Sequence, residues 1–240
     1  MAACRRVTQG SYREKTDRSG APYYLHRIDG LDPSALPPPV PATPIVDRAD
    51  DESIHLVYSA LLAALSLSPT HAEALRQRGL SDTEISLRGY RSLPREGRAR
   101  LARSLQDRFG ELVFRVPGFI VKESDRGRYL TLAGWVGLLI PSRDFSGRIQ
   151  ALRLRRDEGQ PRYTWLSSAS RGGASSGAPI HVPLGTPSPS PPVRLTEGEL
   201  KADIASCWGV PTISLPGAGL WVPAVPVPKP LGADVVRLAF

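Results

Sequence analysis

The sequence has 240 residues, which is enough for one or two hydrophobic cores, and we expect two small domains. Its 31 Lys and Arg residues against 23 Asp and Glu give a formal charge of +8, which favours an anionic partner such as nucleic acid, although a merely soluble basic protein has the same balance. The two cysteines, Cys4 and Cys207, cannot build a disulfide framework or a zinc site within the chain, so zinc is not expected. We expect a cytoplasmic protein without a membrane partner, because there is no signal-peptide pattern and no apolar run approaches the roughly 20 residues of a membrane span.

The first 49 residues divide into two segments. Residues 1–30 form a basic N-terminal segment whose polar and aromatic residues alternate around the turn signal Asp17-Arg18-Ser19-Gly20, which predicts a hairpin. Residues 31–49 are rich in proline, which lacks a backbone donor and has a fixed φ, so this segment is predicted to be a linker.

A helical subdomain is predicted over residues 50–110. Apolar residues at helical spacing predict a first helix over about 52–66. A second helix is expected to begin after Pro69-Thr70 and to stop at Gly79, and Ser81 with Glu84 forms a capping box that opens a third. A fourth is predicted from about 95 to 109.

Residues 111–182 form a predicted basic strand and hairpin subdomain. The pattern predicts strands at 136–140 and 149–154, joined through Asp144-Phe145-Ser146-Gly147. Two loops follow: one is rich in Ser, Gly and Ala (167–177), and the other is rich in proline (183–192).

Residues 193–240 are predicted to be a partial α/β domain. A strand from Val193, a helix over about 199–208, a strand at 212–215 and a last strand at 234–240 follow one another, and this alternation predicts parallel pairing. The prolines between the last two strands leave room for at most a short, broken crossover helix. The whole chain is therefore predicted to be α+β.

One carboxylate in this domain stands at a position suited to chemistry. Glu197 ends a predicted strand, and Gly198 separates it from the next helix, at the edge where ligands collect in parallel sheets. It is predicted to bind a hard cation or to act as a general base. Glu199 is expected to make a favourable contact with the helix macrodipole, and Lys201 and Asp203 are expected to be solvated on the exposed helix face.

A magnesium site of this kind usually needs two or three carboxylates from different strand ends. Nothing acidic follows the last predicted strand, which ends at Phe240. The expected Mg²⁺ site is therefore incomplete.

The predicted hairpin and the segment after it concentrate arginines and aromatic residues. Such a mixture suits phosphates and unstacked bases, although basic residues also serve as the charged solvent face of an edge hairpin. The predicted nucleic-acid contacts are Arg143, Arg148, Arg153, Arg155, Arg156, Arg162, Tyr163 and Trp165.

Other residues have less specific patterns. The second and third helices have the spacing of a DNA-reading helix-turn-helix, but such pairs more often serve packing. The four histidines share no ligand spacing, so surface or structural roles are expected for them, and Cys207 is expected in the core. Cys4, beside two arginines, is read as the remnant of a ligand cluster further upstream.

Three runs occur in an order that resembles a known family. They are LRQRGLS at 75–81, followed by Ile85 and Gly89-Tyr90; IPSRDFSGRI at 140–149, followed by Pro161-Arg162-Tyr163 and Ser167; and LTEGE at 195–199. Together they resemble the catalytic core of bacterial DNA primases, and more closely the primase-like proteins of plasmids, phages and mobile elements. The third run resembles the first motif of a toprim domain, the metal-binding fold of primases and topoisomerases.

This resemblance covers roughly residues 70–240 and implies a role in DNA replication or mobilisation. It implies that Glu197 is the catalytic glutamate and a magnesium ligand, and that the hairpin arginines line the path of a single-stranded DNA or RNA template. A helicase is a possible partner for such a protein.

The departures from the family pattern concern activity. Toprim domains carry an Asp-x-Asp pair after a later strand, and residues 234–240 look like that strand with its tail removed. Where primases commonly have an Asp four positions after the glutamate, this chain has Lys201. The first hypothesis is therefore a primase-like fragment that is inactive alone.

Two other functions stay open. The second hypothesis is a non-catalytic nucleic-acid-binding or scaffold module that recruits a helicase or another replication protein. A toprim nuclease is the third, and the basic hairpin and the helical start disfavour it.

Overall fold

A computed structural model describes residues 2–4, 9, 13–16, 22–26, 46–125, 127–186, 192–217 and 235–239. The chain divides into two compact units, residues 1–42 and 43–240. The predicted turn at 17–20, residues 31–45 of the predicted linker, and the proline-rich stretches 187–191 and 218–234 lie outside the described residues.

The N-terminal unit contains a small antiparallel sheet. Its strands are β1 (Ala2–Cys4), β2 (Arg13–Thr16) and β3 (Pro22–His26), in the order β1-β3-β2. The β2–β3 pair, with Lys15 opposite Tyr23, confirms the predicted hairpin, whereas β1 was not predicted.

Helices dominate the start of the second unit. They are α1 (Asp51–Ala63), α2 (Pro69–Arg76), α3 (Asp82–Arg88) and α4 (Arg98–Phe109), with the short strand β4 (Arg91–Leu93) before α4 and a 3-10 segment (Gly110–Arg115) after it. The four predicted helices are confirmed. No helix in the described part of the chain is long and apolar enough to cross a membrane.

Local hydrogen bonds and backbone conformations set the ends of these helices. The Ser81 hydroxyl accepts a hydrogen bond from the backbone N–H of Glu84 at 3.2 Å, which is half of the predicted capping box. The Glu84 carboxylate pairs instead with Arg88 one turn later, at 3.1 Å. Helix α4 begins at Arg98 and not at about 95, because Gly97 takes a left-handed conformation (φ 77°) that breaks the helix there.

Two antiparallel sheets follow. The first is the hairpin of β5 (Phe119–Ser124) and β6 (Gly127–Leu132), which was not predicted. The second has the order β4-β7-β8-β9, with β7 (Gly137–Arg143), β8 (Ile149–Arg156) and β9 (Tyr163–Trp165). The β7–β8 pair confirms the predicted basic hairpin.

The last part of the chain is a parallel α/β arrangement. Strand β10 (Val193–Glu197) leads into α5 (Glu199–Cys207), followed by β11 (Thr212–Leu215) and β12 (Val236–Leu238). Strand β10 pairs in parallel with both β11 and β12, so the predicted parallel pairing is confirmed. With helices and separate antiparallel and parallel sheets, the α+β class is confirmed too.

The four-stranded sheet separates two hydrophobic cores. Because side chains alternate along a strand, Leu139 and Leu154 face one core, which α1 and α4 cover. Leu138 and Ile140 face the other, where they pack with Leu200 of α5 and with residues of α2 and α3. Helix α5 is thereby held against one face of the basic hairpin.

Candidate nucleic-acid and metal site

Four of the predicted nucleic-acid contacts share the face of the sheet on which α5 lies. Residues directly opposite each other in an antiparallel sheet point to the same side. In the register of β7, β8 and β9, Arg155 pairs with Tyr163 and Arg153 pairs with Trp165. The partners of these arginines in β7 are Leu138 and Ile140, respectively, which pack against α5. The sheet therefore carries two parallel rows, each running from an apolar residue through an arginine to an aromatic ring.

Arg153 joins this surface to α5. Its Nε lies 3.9 Å from a carboxylate oxygen of Glu199, and its guanidinium lies 4.5 Å from the centroid of the Trp165 ring. The Glu199 side chain is only 2% exposed, so it does more than the predicted macrodipole contact: it lies against a cation of the sheet. This contact places the start of α5 beside the arginine rows.

Glu197 lies two residues before Glu199, at the carboxyl end of β10. It is exposed and makes no hydrogen bond or ion pair within the described part of the chain. Gly198 follows with φ 98°, a conformation that favours glycine and lets the chain turn from the strand into α5. The structure therefore has an unpartnered carboxylate at the edge where the sequence predicts a metal ligand.

The described residues do not form a complete metal site around Glu197. Among them, no group of three or more His, Cys, Asp or Glu side chains is placed to hold a metal ion. Glu199 is buried next to Arg153, and Asp203 is bonded elsewhere. Glu197 could supply one oxygen ligand, and the described residues do not supply the rest of the set that a hard cation requires.

The prediction that Asp203 is solvated on the exposed face of α5 is wrong. Its side chain is 3% exposed and accepts hydrogen bonds from Arg88 Nη1 at 3.0 Å and from the Tyr90 hydroxyl at 2.5 Å. The His181 Nε2 lies 3.1 Å from the same carboxylate. Residues more than 100 positions earlier cover this face of α5, which helical periodicity alone does not reveal. Lys201, in contrast, is exposed as predicted.

The tautomer of His181 follows from its second contact. The backbone N–H of Arg143 donates to Nδ1 at 3.0 Å, so in the neutral ring Nε2 carries the proton and donates it to Asp203. His71 is likewise buried, with its ring nitrogens 2.7 Å from the Ser92 hydroxyl and 2.8 Å from the Asp157 carboxylate. Structural roles, as predicted, are confirmed for both histidines.

Ionisation in this buried cluster is shifted by its surroundings. Burial raises the pKa of Tyr90 well above its usual value, and the negative charge of Asp203 and the hydrogen bond to it add to the effect. Burial likewise raises the pKa of the Cys207 thiol, against the effect of Arg88, whose Nη2 lies 3.0 Å from the sulfur. Cys207 is partly buried and packs against the second core.

Two of the predicted contacts, Arg143 and Arg148, are engaged inside the protein. The Arg143 guanidinium donates to the carbonyl oxygens of Gly147 at 2.9 Å and Arg88 at 3.2 Å. Burial lowers its pKa. Arg148 Nε donates to the Asp144 carboxylate at 2.8 Å, and Asp144 also accepts from two backbone N–H groups of the turn. These arginines hold the β7–β8 turn in shape.

The remaining two, Arg156 and Arg162, lie at the other end of the hairpin. Arg156 Nη1 donates to the carbonyl of Gln160 at 2.7 Å, and Arg162 Nη1 donates to the carbonyl of Asp157 at 3.0 Å. The Arg156 guanidinium also lies 4.1 Å from the centroid of the Trp135 ring, which is 58% exposed. Arg156 therefore belongs to a second cation and ring pair, on the opposite face of the sheet from Arg153.

A groove of about 420 Å³ connects the neighbourhoods of these two pairs. Its lining includes both tryptophans, Trp135 and Trp165, together with Arg98, Lys122 and Arg171. We call it the tryptophan groove. Sequence reasoning missed four of these five residues, because the four come from four separate segments. The one available signal was a tryptophan placed directly after Gly134.

The surface of α3 bears on the helix-turn-helix interpretation. Helix α3 would be the reading helix, and the shallow depression on its exposed side is lined by Asp82, Thr83, Ser86 and Leu87. None of these residues carries a positive charge, whereas DNA phosphates require cations nearby.

Comparison of the sequence with protein-family models gives no match. Comparison with curated proteins gives none either.

Solved structures, in contrast, share the fold. The Aquifex aeolicus primase (zinc-binding and RNA polymerase domains) matches with a TM-score of 0.59 and 15% identity, over 79% of this chain and 48% of that one. The RNA polymerase domain of Mycobacterium tuberculosis primase DnaG, in complex with a double-stranded DNA oligomer with an overhang, matches with a TM-score of 0.57 and 16% identity, over 77% and 60%. A DnaG primase catalytic domain bound to ssDNA matches with a TM-score of 0.52 and 16% identity, over 78% and 62%.

These matches establish the fold. The chain has a primase-like fold, as the sequence resemblance led us to expect. The chain covers less than two thirds of the length of each of these three structures.

Proposed function

We propose that this chain is a primase-like replication protein of a plasmid, phage or mobile element, which binds single-stranded nucleic acid and carries an incomplete metal-dependent nucleotidyl-transfer site. The observation that supports it most is the placement of the arginine and aromatic rows of the sheet beside the Glu197 turn, on a primase fold. The binding partner is a single-stranded DNA or RNA template.

The chemistry of the rows suits such a template. Arg155 has no hydrogen bond or ion pair to the described residues, and Arg153 makes only the long contact to Glu199 and the ring contact to Trp165. Both guanidiniums therefore keep donors for phosphate oxygens. Tyr163 is 37% exposed and offers a flat face on which an unstacked base can pack.

The role proposed for Glu197 is that of a magnesium ligand, with further oxygen ligands from outside the described residues. Bound Mg²⁺ would supply charge stabilisation for phosphoryl oxygens. Glu197 is two residues before Glu199, and Glu199 lies against Arg153, so the exposed carboxylate is in the same part of the molecule as the arginine rows.

Binding is tested with Arg153→Gln combined with Arg155→Gln. We expect weaker binding of a fluorescein-labelled oligodeoxythymidine, and a salt dependence of log K that is shallower by about 1.4, because two phosphate contacts are lost at about 0.7 each. Fluorescence anisotropy over a salt series measures both. The matched control is Arg100→Gln with Arg108→Gln, which removes the same charge from the exposed side of α4; an equal loss in the control would show that only net charge matters.

Catalysis is tested by primer synthesis on a single-stranded template with Mg²⁺. The assay compares this chain with a version extended past Phe240 along its coding sequence. We expect synthesis only from the extended version, and its loss on Glu197→Gln. If the extended version made no primer and bound no template, the primase proposal would fail.

A second function is favoured by the lone position of Glu197 among the described residues: a non-catalytic nucleic-acid-binding or scaffold module that recruits a helicase or another replication protein. Single-strand binding that persists in Glu197→Ala and does not respond to Mg²⁺, together with an inert extended version, would support it.

A further inference from the structure

Glu199 is the first residue of α5 and lies between that helix and the sheet that carries the arginine rows. The next residue, Leu200, packs with Leu138 and Ile140, which are the apolar ends of the two rows. This packing holds the start of α5 on the sheet. Within the described part of the chain, the Glu199 carboxylate makes no hydrogen bond, and its one charged contact is with Arg153. The hydrophobic core therefore places a buried carboxylate beside one particular arginine.

This contact orients the Arg153 guanidinium and leaves its donors free. The Arg153 Nε lies 3.9 Å from a Glu199 oxygen, which is within reach of an ion pair but too long for a hydrogen bond. That Nε has no hydrogen-bond partner among the described residues. Arg148, in contrast, donates from Nε to Asp144 at 2.8 Å. A closer, hydrogen-bonded acid would occupy donors that Arg153 otherwise keeps for phosphate oxygens.

The Trp165 ring is the second contact of the same guanidinium. Its centroid lies 4.5 Å from Arg153 Cζ, a distance typical of a cation on the face of an indole. Arg153 is thus located by a carboxylate and a ring. Arg155, in the neighbouring row, makes no hydrogen bond or ion pair to the residues that the structure describes. The two rows share their residue types, but only one of them has an acid that holds its cation.

We propose that Glu199 is a positioning residue for strand binding, which keeps the Arg153 guanidinium on the Trp165 ring in the free protein. This inference rests on the proposed nucleic-acid binding and adds to it a residue that touches no nucleotide. A long side chain that is already ordered does not lose its freedom on binding, which corresponds to about 2- to 10-fold in affinity for one side chain. Arg155, in contrast, becomes ordered only when the strand binds.

The position of Arg153 is tested first in the free protein, by NMR. Protons above the face of an indole ring are shifted upfield, so the Arg153 Cδ protons should resonate upfield of those of Arg155, and Trp165→Leu should abolish the difference. Glu199→Asp keeps the charge but withdraws the carboxylate by one CH₂ group, and Glu199→Gln removes the ion pair. We expect both variants to reduce the shift. An unchanged shift in both of them overturns the inference.

Binding of a fluorescein-labelled oligodeoxythymidine then separates position from charge. Glu199→Gln removes a negative charge beside the rows, so charge alone predicts tighter binding. Positioning predicts the opposite: we expect an affinity about 2- to 10-fold lower, with an unchanged slope of log K against log salt concentration, because the number of phosphate contacts stays the same. Glu96→Gln is the charge-matched control. Glu96 is exposed between β4 and α4, and its replacement should not weaken binding.

A double-mutant cycle shows whether Glu199 acts through Arg153. In the Arg153→Gln background, Glu199→Gln should no longer weaken binding, because the guanidinium that it positions is gone. Circular dichroism with urea unfolding checks that each variant folds. If Glu199→Gln does not fold, Glu199→Asp replaces it in the binding assay and should also bind more weakly than the wild type.

The outcomes separate this inference from the proposed function. If Glu199→Gln binds as tightly as the wild type or more tightly, or weakens binding equally with and without Arg153, the inference is overturned and the proposed function stands. If the wild type binds no strand, the proposed function and this inference both fail.

Discussion

Two carboxylates six residues apart, Glu197 at the end of β10 and Asp203 within α5, have opposite surroundings. Asp203 is buried with three donors from α3, from the residue before β4 and from the segment around His181. Glu197 is exposed and has no partner among the described residues. The polar groups of the first region satisfy one another and fix the structure, whereas those of the second are left open to a ligand. Both regions contain a carboxylate, so residue type does not distinguish them. They differ because the Asp203 carboxylate is hydrogen-bonded within the protein and the Glu197 carboxylate is not.

The largest effect on stability is expected for the buried network around Asp203. Asp203→Ala leaves a buried guanidinium, the Tyr90 hydroxyl and the His181 N–H without an acceptor, and we expect the free energy of unfolding to fall by about 3–5 kcal/mol. Urea unfolding followed by circular dichroism measures it. Lys201→Ala, on the exposed side of the same helix, should change stability by less than about 0.5 kcal/mol. A small effect of Asp203→Ala would show that the network can be opened at little cost.

An intermediate effect comes from Tyr90→Phe. It removes one hydrogen bond to a buried charge, and we expect a loss of about 2 kcal/mol near neutral pH. The pH dependence follows from the raised pKa of Tyr90: the folded state prefers the neutral phenol, so this contribution is complete below the unfolded pKa of about 10 and is lost as the pH rises above it.

The stability of the wild type should therefore fall more steeply between about pH 9 and 11 than that of Tyr90→Phe. Unfolding free energies measured across that range give the comparison. The pKa of the buried Tyr58 is also raised by burial, so Tyr58→Phe is the matched control, and it should leave the Tyr90 difference in place. If the unfolding free energies of wild type and Tyr90→Phe changed in parallel with pH, the raised pKa of Tyr90 would be contradicted.

The smallest effect on stability is expected at the exposed Glu197. Glu197→Gln removes a charge that nothing in the described residues uses, so stability should change by less than about 0.5 kcal/mol. Chemical denaturation with and without Mg²⁺ measures it. A loss above about 1 kcal/mol would place Glu197 with Asp203 among the structural carboxylates and end its candidacy as a ligand.

The sequence alone predicts the elements that depend on local signals. The order β10, α5, β11 and the β7–β8 hairpin follow from apolar patterns and from turn residues such as Asp144 and Gly147. The short strands β4 and β9 were missed because three residues are too few to show a period. The β5–β6 hairpin was missed although Gly127 marks its turn, because its exposed residues obscure the alternation.

The candidate site was only partly predictable for a different reason. Sequence composition drew attention to the hairpin arginines but could not separate Arg143, bonded to two carbonyl groups, from Arg155, which is open. Asp203 was misplaced because its partners Arg88 and Tyr90 are distant in sequence. The tryptophan groove arises where separate segments meet, and such places leave no local pattern.

The two rows of the sheet also set a length scale. Tyr163 and Trp165 are two positions apart on β9, which separates their rows by about 6.6 Å along the strand. Stacked bases in a B-form duplex are about 3.4 Å apart, close to half that distance. Neighbouring bases that remained stacked could not each lie on one of these rings. Two bases that lay on Tyr163 and Trp165 would therefore stand about twice as far apart as stacked neighbours.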